Sequence, residues 1–169
     1  MTAKVILTAV GSDRPGLTQA LAEAVYAAGG NWLESHLSRL GGKYVGSVLV
    51  EIADVPAFEQ AIRDVDAAGL EVSIVPAGDG PAVKGALQSI ELVGQDRPGI
   101  VREVTAVLAG LGVNIEDFVT TTENGAWSGE LLFRAQARVT IPPGLAADAV
   151  QAALEAISGE IMVDFSFTG

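Results

Sequence analysis

One short motif occurs twice in the chain, and its recurrence restricts the fold more than any other sequence feature. Residues 11–16 read Gly-Ser-Asp-Arg-Pro-Gly, and residues 94–99, 83 positions later, read Gly-Gln-Asp-Arg-Pro-Gly. The same offset relates three further pairs: Gly29 and Gly112, Asn31 and Asn114, and Gly46 and Gly129. Two copies at so long a period indicate a duplicated small domain rather than a solenoid.

The offset between the copies grows after residue 46. Pro56 best matches Pro142, and Gly69 best matches Gly159, which is 90 positions later rather than 83. We therefore expect about seven extra residues around the third strand and second helix of the second copy.

Each copy shows the same order of hydrophobic periodicities, strand-helix-strand-strand-helix-strand. In the first copy the predicted strands are 4–10, 31–40, 43–52 and 70–75, and the predicted helices are 17–28 and 56–68. In the second copy the first predicted strand contains Ile90, Leu92 and Val93, and the first helix carries an apolar stripe from Ile100 to Leu111. The other predicted strands are 113–122, 128–138 and 160–167, and the second helix is 143–157. Asn124-Gly125 is a typical hairpin signal between two of these strands.

This order predicts an α+β fold made of two ferredoxin-like βαββαβ modules, each an antiparallel sheet with both helices on one face. We expect a first domain at 1–77, a linker at 78–85 that is rich in Pro and Gly, and a second domain at 86–169. The third strand is apolar on both alternations, Val48 and Val50 on one side and Val45 and Leu49 on the other. The sister module or a second chain is therefore expected to cover the sheet surface.

The composition disfavours several classes of partner. The net charge is −11 and there are only three lysines, so no basic surface for DNA or RNA is expected. No apolar run is long enough to span a membrane. The apolar run at residues 5–10 is too short for a signal peptide, and we expect a cytoplasmic protein without disulfides.

No set of residues predicts catalysis, a metal site or a cofactor. His36 is the only histidine, it lies in a predicted strand, and its counterpart in the second copy is Val119. Both the nucleophile-His-carboxylate arrangement and a mixed metal site would depend on it. Trp32 and Trp127 occupy different places in the two copies, so packing is the better interpretation for both.

The doubled motif, the glycine that ends the following helix and the Asn that opens the next strand together resemble the ACT domain. Two copies without a recognisable catalytic domain are most similar to the glycine cleavage system transcriptional repressor family. The resemblance implies that an amino acid binds where two ACT modules meet. The implied ligand-binding residues are Asp13, Arg14, Pro15, Gly16, Leu17 and Asn31, and Asp96, Arg97, Pro98, Gly99, Ile100 and Asn114. Val113 replaces Gly30 beside the second Asn, and we expect this to narrow the second site.

The chemistry of the motif suits an amino acid but also allows a purely structural role. A helix start offers unpaired N–H groups and partial positive charge to a carboxylate, and an Asn side chain can accept from an ammonium group. Asp and Pro could equally serve only to begin the helix, the two arginines could be solvated, and each Asn could form an Asx turn.

The resulting functional hypothesis is a regulatory protein that senses a small amino acid, with glycine or serine as the leading guess from the resemblance. It would control a partner protein, for which a transcription factor of amino-acid metabolism is one candidate, and it could form a homo-oligomer. The alternative is an interaction module that senses nothing and has no catalytic activity, and an enzyme is the third choice.

Overall fold

A computed structural model describes residues 1–65, 69–126 and 129–166. The chain divides into two compact units, Met1–Gly80 and Pro81–Gly169. The sequence-based boundaries, 1–77 and 86–169 around a linker, stay a prediction.

The two units have the same order of elements. The first contains β1 (Ala3–Ser12), α1 (Leu17–Ala27), β2 (Asn31–Leu40), β3 (Lys43–Ile52), α2 (Val55–Val65) and β4 (Leu70–Pro76). The second contains β5 (Ala86–Gln95), α3 (Ile100–Gly110), β6 (Asn114–Asn124), β7 (Leu131–Ile141), α4 (Ala147–Glu155) and β8 (Met162–Ser166). Three expectations fall partly outside the described residues: the end of the second helix at 66–68, Trp127 with its neighbour, and the end of the last strand at residue 167.

Each unit is a four-stranded antiparallel sheet with two helices on one face. The strand orders are β2-β3-β1-β4 and β6-β7-β5-β8, so the first and third strands are central in both units. This is the ferredoxin-like arrangement, and the predicted fold class is confirmed.

The helix stripes predicted from periodicity form the two cores. Leu17, Leu21 and Val25 of α1 are buried in the first unit, and Ile100, Val104 and Leu108 of α3 are buried in the second. Alternate strand residues complete each core, as the period of two in a strand requires. Trp32 packs partly buried against the first core, in line with its interpretation as a packing residue.

The sheet faces opposite the helices differ in chemistry. On β1 and β3 of the first unit this face carries mainly apolar and small side chains: Ile6, Thr8, Val45, Ser47 and Leu49. On the matching strands of the second unit it carries mainly polar and charged side chains: Ser89, Glu91, Arg134, Gln136 and Arg138. Arg134 pairs there with Glu91 and with Glu123.

The extra residues of the second copy lie elsewhere than predicted. The structure pairs Trp32 with Val50 and Ile115 with Val139, so the offset is 83 on the second strand but already 89 on the third. The six extra residues therefore belong to the β6–β7 hairpin, where β6 ends at Asn124 and β7 begins at Leu131. Gly46 lies within β3 and Gly129 in the hairpin loop, so their pairing by sequence is wrong. The matching β2–β3 hairpin needs only Gly41-Gly42.

Within the described residues, no helix is long and apolar enough to cross a membrane.

Candidate functional site

The repeated motif forms the same tight turn in both units. Gly16 has φ 87° and ψ 0°, and Gly99 has φ 89° and ψ −2°. In the second unit the Ile100 N–H donates to the Arg97 carbonyl oxygen at 3.3 Å, which closes a four-residue turn. Proline at its second position and glycine with positive φ at its third position define a type II turn. The Pro-Gly pair of the motif is thus explained by backbone geometry alone.

Each glycine of that turn is also the N-cap of the following helix. The Gly16 carbonyl accepts from the Ala20 N–H at 2.9 Å, and the Gly99 carbonyl accepts from the Glu103 N–H at 3.0 Å. No side chain forms a capping hydrogen bond at either N-cap. The interpretation of Asp13 and Asp96 as capping residues is therefore wrong, and Pro15 and Pro98 precede the helices rather than lying in them. The Ile100 N–H of α3 is used by the turn, but the N–H groups that follow at the start of both helices have no side-chain cap and can receive an anion.

The charged residues of the two turns have different partners. Asp13 Oδ2 lies 3.4 Å from Arg39 Nε. Arg97 instead forms a two-pronged ion pair with Glu103 on α3, and this hydrogen bonding lowers the pKa of the Glu103 carboxyl and raises that of Arg97. Ala20 occupies the position of Glu103 in the first unit, so Arg14 is not held in the same way.

The turn and the asparagine of one unit lie at opposite ends of the same sheet. Asn31 pairs with Glu51, which pairs with Lys4 near the start of β1, whereas the turn follows Ser12 at the end of β1. Lys4 and Ser12 are eight residues apart along the strand, or about 27 Å. A small amino acid cannot touch both within one unit.

The second unit repeats this separation. Asn114 pairs with Thr140, which pairs with Leu87 near the start of β5, and the turn follows Gln95 at its end. The predicted site residues thus form two groups in each unit, turn and asparagine, which the structure does not bring together. Their roles in ligand binding stay a prediction.

The two asparagines have different surroundings. Asn114 Nδ2 donates to Glu116 Oε1 at 2.6 Å, and the buried Thr140 hydroxyl donates to the same oxygen at 2.9 Å. These two hydrogen bonds lower the pKa of the Glu116 carboxyl, with Arg138 contributing by charge. In the first unit Leu33 stands at the position of Glu116, so this network has no counterpart there.

A β-bulge explains the position of Glu116. The β6–β7 register shifts between Ile115 and Asp117, and the β2–β3 register shifts at the matching place between Trp32 and Glu34. A bulge adds one residue to a strand and re-aims its side chain. The sequence analysis does not identify Glu116, Arg138 or Thr140 as site residues. One feature of the sequence points to Glu116: the first copy has the apolar Leu33 at this position, whereas the second copy has a carboxylate.

The expected narrowing of the second site by Val113 does not occur. Val113 is buried in the core of the second unit. At Gly30 an added Cβ would lie 3.0 Å from Ile52 Cδ1 and from the Val25 carbonyl oxygen, so this position also points toward a core. The exchange therefore changes core packing and not a ligand surface.

His36 is exposed, and its Nε2 lies 3.2 Å from Glu34 Oε1. Across the part of the chain that the structure describes, no three metal-ligating side chains come together. The predicted absence of a catalytic or metal site stays a prediction.

Comparison with known families identifies the fold by name. The ACT domain profile matches residues 3–72 and, separately, residues 88–135. The chain is a tandem ACT-domain protein. ACT domains are regulatory modules that bind amino acids, and both copies contain the turn and asparagine described above.

Three similar proteins cover nearly all of the chain. Phosphoserine phosphatase SerB2 of Mycobacterium tuberculosis is 32% identical over 95% of this chain, which spans only 39% of the length of that relative. The crystal structure of an unknown protein from Galdieria sulphuraria matches with 29% identity, a TM-score of 0.83 and 98% coverage of both chains. That of a candidate glycine cleavage system transcriptional repressor matches with 18% identity, a TM-score of 0.74 and the same coverage, which shows a shared fold.

Proposed function

We propose that this protein is a regulatory sensor of a small amino acid that controls a partner protein. The observation that carries the proposal is that two ACT domains each present an uncapped helix start immediately after an Asp-Arg-Pro-Gly turn. Glycine or serine remains the leading ligand. A transcription factor of amino-acid metabolism is one candidate for the partner, since one protein that shares this fold is a candidate transcriptional repressor of the glycine cleavage system.

The separation of turn and asparagine requires a second module for a complete site. The helix start of one module would receive the ligand carboxylate through its free N–H groups, and the asparagine of another would receive the ammonium group. A second copy of the chain can supply that module, which fits the predicted homo-oligomer. Ligand binding would then change the contacts between modules, and a partner protein could detect that change.

We expect one of the twenty standard amino acids, with glycine and serine tested first, to stabilise the protein. At ten times its dissociation constant a ligand adds roughly 1.4 kcal/mol to the free energy of unfolding. A thermal-shift screen measures this, with glycinamide as the matched control because it lacks the carboxylate. If no amino acid at millimolar concentration raises the melting temperature, free amino acids are not the ligands.

We also expect Asn31→Ala and Asn114→Ala to weaken binding by about 1.5–3 kcal/mol, the cost of a lost hydrogen bond to a charged group. The effect should be larger for Asn114→Ala because Asn114 also holds the Glu116 carboxylate. Titration calorimetry gives the affinities, and Asn124→Ala in the β6–β7 hairpin is the matched control. If both variants bind with unchanged affinity, the two asparagines do not bind the ligand and serve only in the local backbone turn.

One observation favours the alternative of a pure interaction module. On the face of the first sheet opposite the helices, Val10 is 50% exposed and Val75 is 46% exposed, beside the apolar Ile6, Val45 and Leu49. A soluble protein rarely leaves such a surface without a partner. An interaction that is independent of any amino acid would support this alternative, and the thermal-shift screen distinguishes the two.

A further inference from the structure

The Asn114 end of the second unit contains a cavity with groups of opposite charge. Its volume is about 470 Å³. One wall carries the Glu116 carboxylate, the Thr140 hydroxyl and the Arg138 guanidinium. Leu87 and the segment 81–83 with Gly85 form the apolar remainder. It is an open groove at the surface, and polar and apolar groups contribute about equally to its lining. Polar groups that converge in such a concave site can fix the orientation of a small molecule.

The Glu116 carboxylate is fixed in place and ionised. Its Oε1 accepts hydrogen bonds from both Asn114 and Thr140, and these bonds hold its pKa below the ordinary range. Its Oε2 has no hydrogen bond to any of the described residues. The carboxylate therefore has one oxygen that can receive a donor from a ligand.

Arg138 supplies the positive group. It is exposed and forms no ion pair with a carboxylate of the described residues, although its charge acts on Glu116. The guanidinium can accordingly bind a carboxylate from solution through two parallel hydrogen bonds. Two opposite charges that line one cavity without being paired match the two charges of a zwitterion.

The chain before β5 is packed closely enough to form a defined wall. At Gly85, which has φ 148°, an added Cβ would lie 2.1 Å from the Ile141 carbonyl oxygen at the end of β7. Only glycine permits this approach. The approach holds Val83 and its neighbours beside Leu87, where they offer apolar surface to a ligand side chain.

We propose that this cavity binds a free α-amino acid, with its ammonium group on Glu116, its carboxylate on Arg138 and its side chain against Leu87 and Val83. The inference rests on the proposed amino-acid sensing. In the second unit it replaces the two-module arrangement, in which a helix start holds the carboxylate, with a site that this unit forms alone.

The first unit cannot form the same site. Leu33 stands where Glu116 is found, and the register places Leu49 where Arg138 is found and Glu51 where Thr140 is found. Both charges of the binding pair are thus missing at the Asn31 end. Binding through this pair belongs to the second unit only.

The test compares charge-removing variants by titration calorimetry with glycine, L-serine and L-leucine. Glu116→Gln keeps an oxygen that can accept from Asn114 and Thr140 but removes the charge, and Arg138→Gln removes the opposite charge. Each should weaken binding of the amino acid that the wild type binds by at least about tenfold. Glu51→Gln at the matching end of the first unit and Arg102→Gln on α3 are the controls, which should bind as the wild type does. Melting temperatures verify that all four variants fold.

Ligand analogues provide an independent arm. For leucine, 4-methylpentanoate lacks the ammonium group and 3-methylbutylamine lacks the carboxylate, and neither should saturate the protein where leucine does. Acetate and methylamine serve the same purpose for glycine. Wild-type affinity in both Glu116→Gln and Arg138→Gln would overturn this site while leaving amino-acid sensing intact. If none of the twenty standard amino acids binds the wild type, the proposed sensing function itself is overturned together with the site.

Discussion

Phe58→Ala is expected to lower the free energy of unfolding of the first unit by about 3–5 kcal/mol, the usual cost of emptying a buried aromatic site. Phe58 is fully buried on α2, in the core that α1 and the sheet share, and it is the largest fully buried side chain among the described residues. The surrounding β-strands are paired along their whole length and cannot collapse into the space it leaves.

Urea denaturation followed by tryptophan fluorescence measures this effect. Each unit contains one tryptophan, so Trp32 reports on the first unit when Trp127 is replaced by phenylalanine in both proteins compared. Tyr26→Ala on α1 is the control, because Tyr26 is 85% exposed and its loss should change stability by less than about 0.5 kcal/mol. A loss below 1 kcal/mol for Phe58→Ala would contradict the described core.

Gly11→Ala should destabilise the protein far more than Gly94→Ala, although both glycines open the same motif. A Cβ at Gly11 would lie 2.1 Å from the Gly69 carbonyl oxygen and 2.9 Å from Leu70 Cα, so the backbone of β4 must move. A Cβ at Gly94 would lie 3.0 Å from Ile161 Cγ1, which is part of a side chain that can shift. We expect a cost of about 3 kcal/mol or more at Gly11, the upper end for overpacking.

At Gly94 the expected change is within about 1 kcal/mol of zero, since the smaller conformational freedom of alanine in the unfolded chain offsets part of the contact. Chemical denaturation of the two variants and the wild type provides the comparison. If both variants lose the same free energy of unfolding, the close contacts with β4 at Gly11 are not the reason for glycine at the first position of the motif. A larger loss for Gly11→Ala would show that Gly11 is needed for the close packing of β1 against β4. That role does not depend on ligand binding at the turn.

Periodicity and the repeat were sufficient to predict the fold of each unit. The stripe of Leu17, Leu21 and Val25 and the alternation of Val48 and Val50 are local properties of the chain, and burial of those residues follows from their spacing alone. The element order then leaves one common arrangement, in which two helices cover one face of an antiparallel sheet. The motif and its Asn by themselves also indicate the ACT family.

The type of the turn and the length of the hairpin are harder to predict from the sequence. The Asp and Pro of the motif favour a helix start by sequence, whereas the structure has a type II turn that ends at a glycine N-cap. The sequence predicts about seven extra residues around the third strand and second helix of the second copy, because Gly129 happens to follow Gly46 at the same offset as the motif. Only strand pairing fixes the register, and the pairing of Ile115 with Val139 moves the insertion into the hairpin.

The sequence by itself therefore determined two βαββαβ modules, their cores and their family, because these depend on patterns between near neighbours. Tertiary structure decided where the site residues lie. Helix α1 runs back along the sheet. Asn31 therefore lies about 27 Å from the turn of its own unit, although both are predicted to bind the ligand. A bulge in β6 brings Glu116 to Asn114 and Thr140, and β7 adds Arg138 across the sheet. Contacts between residues this far apart in sequence depend on register, and no local pattern encodes register.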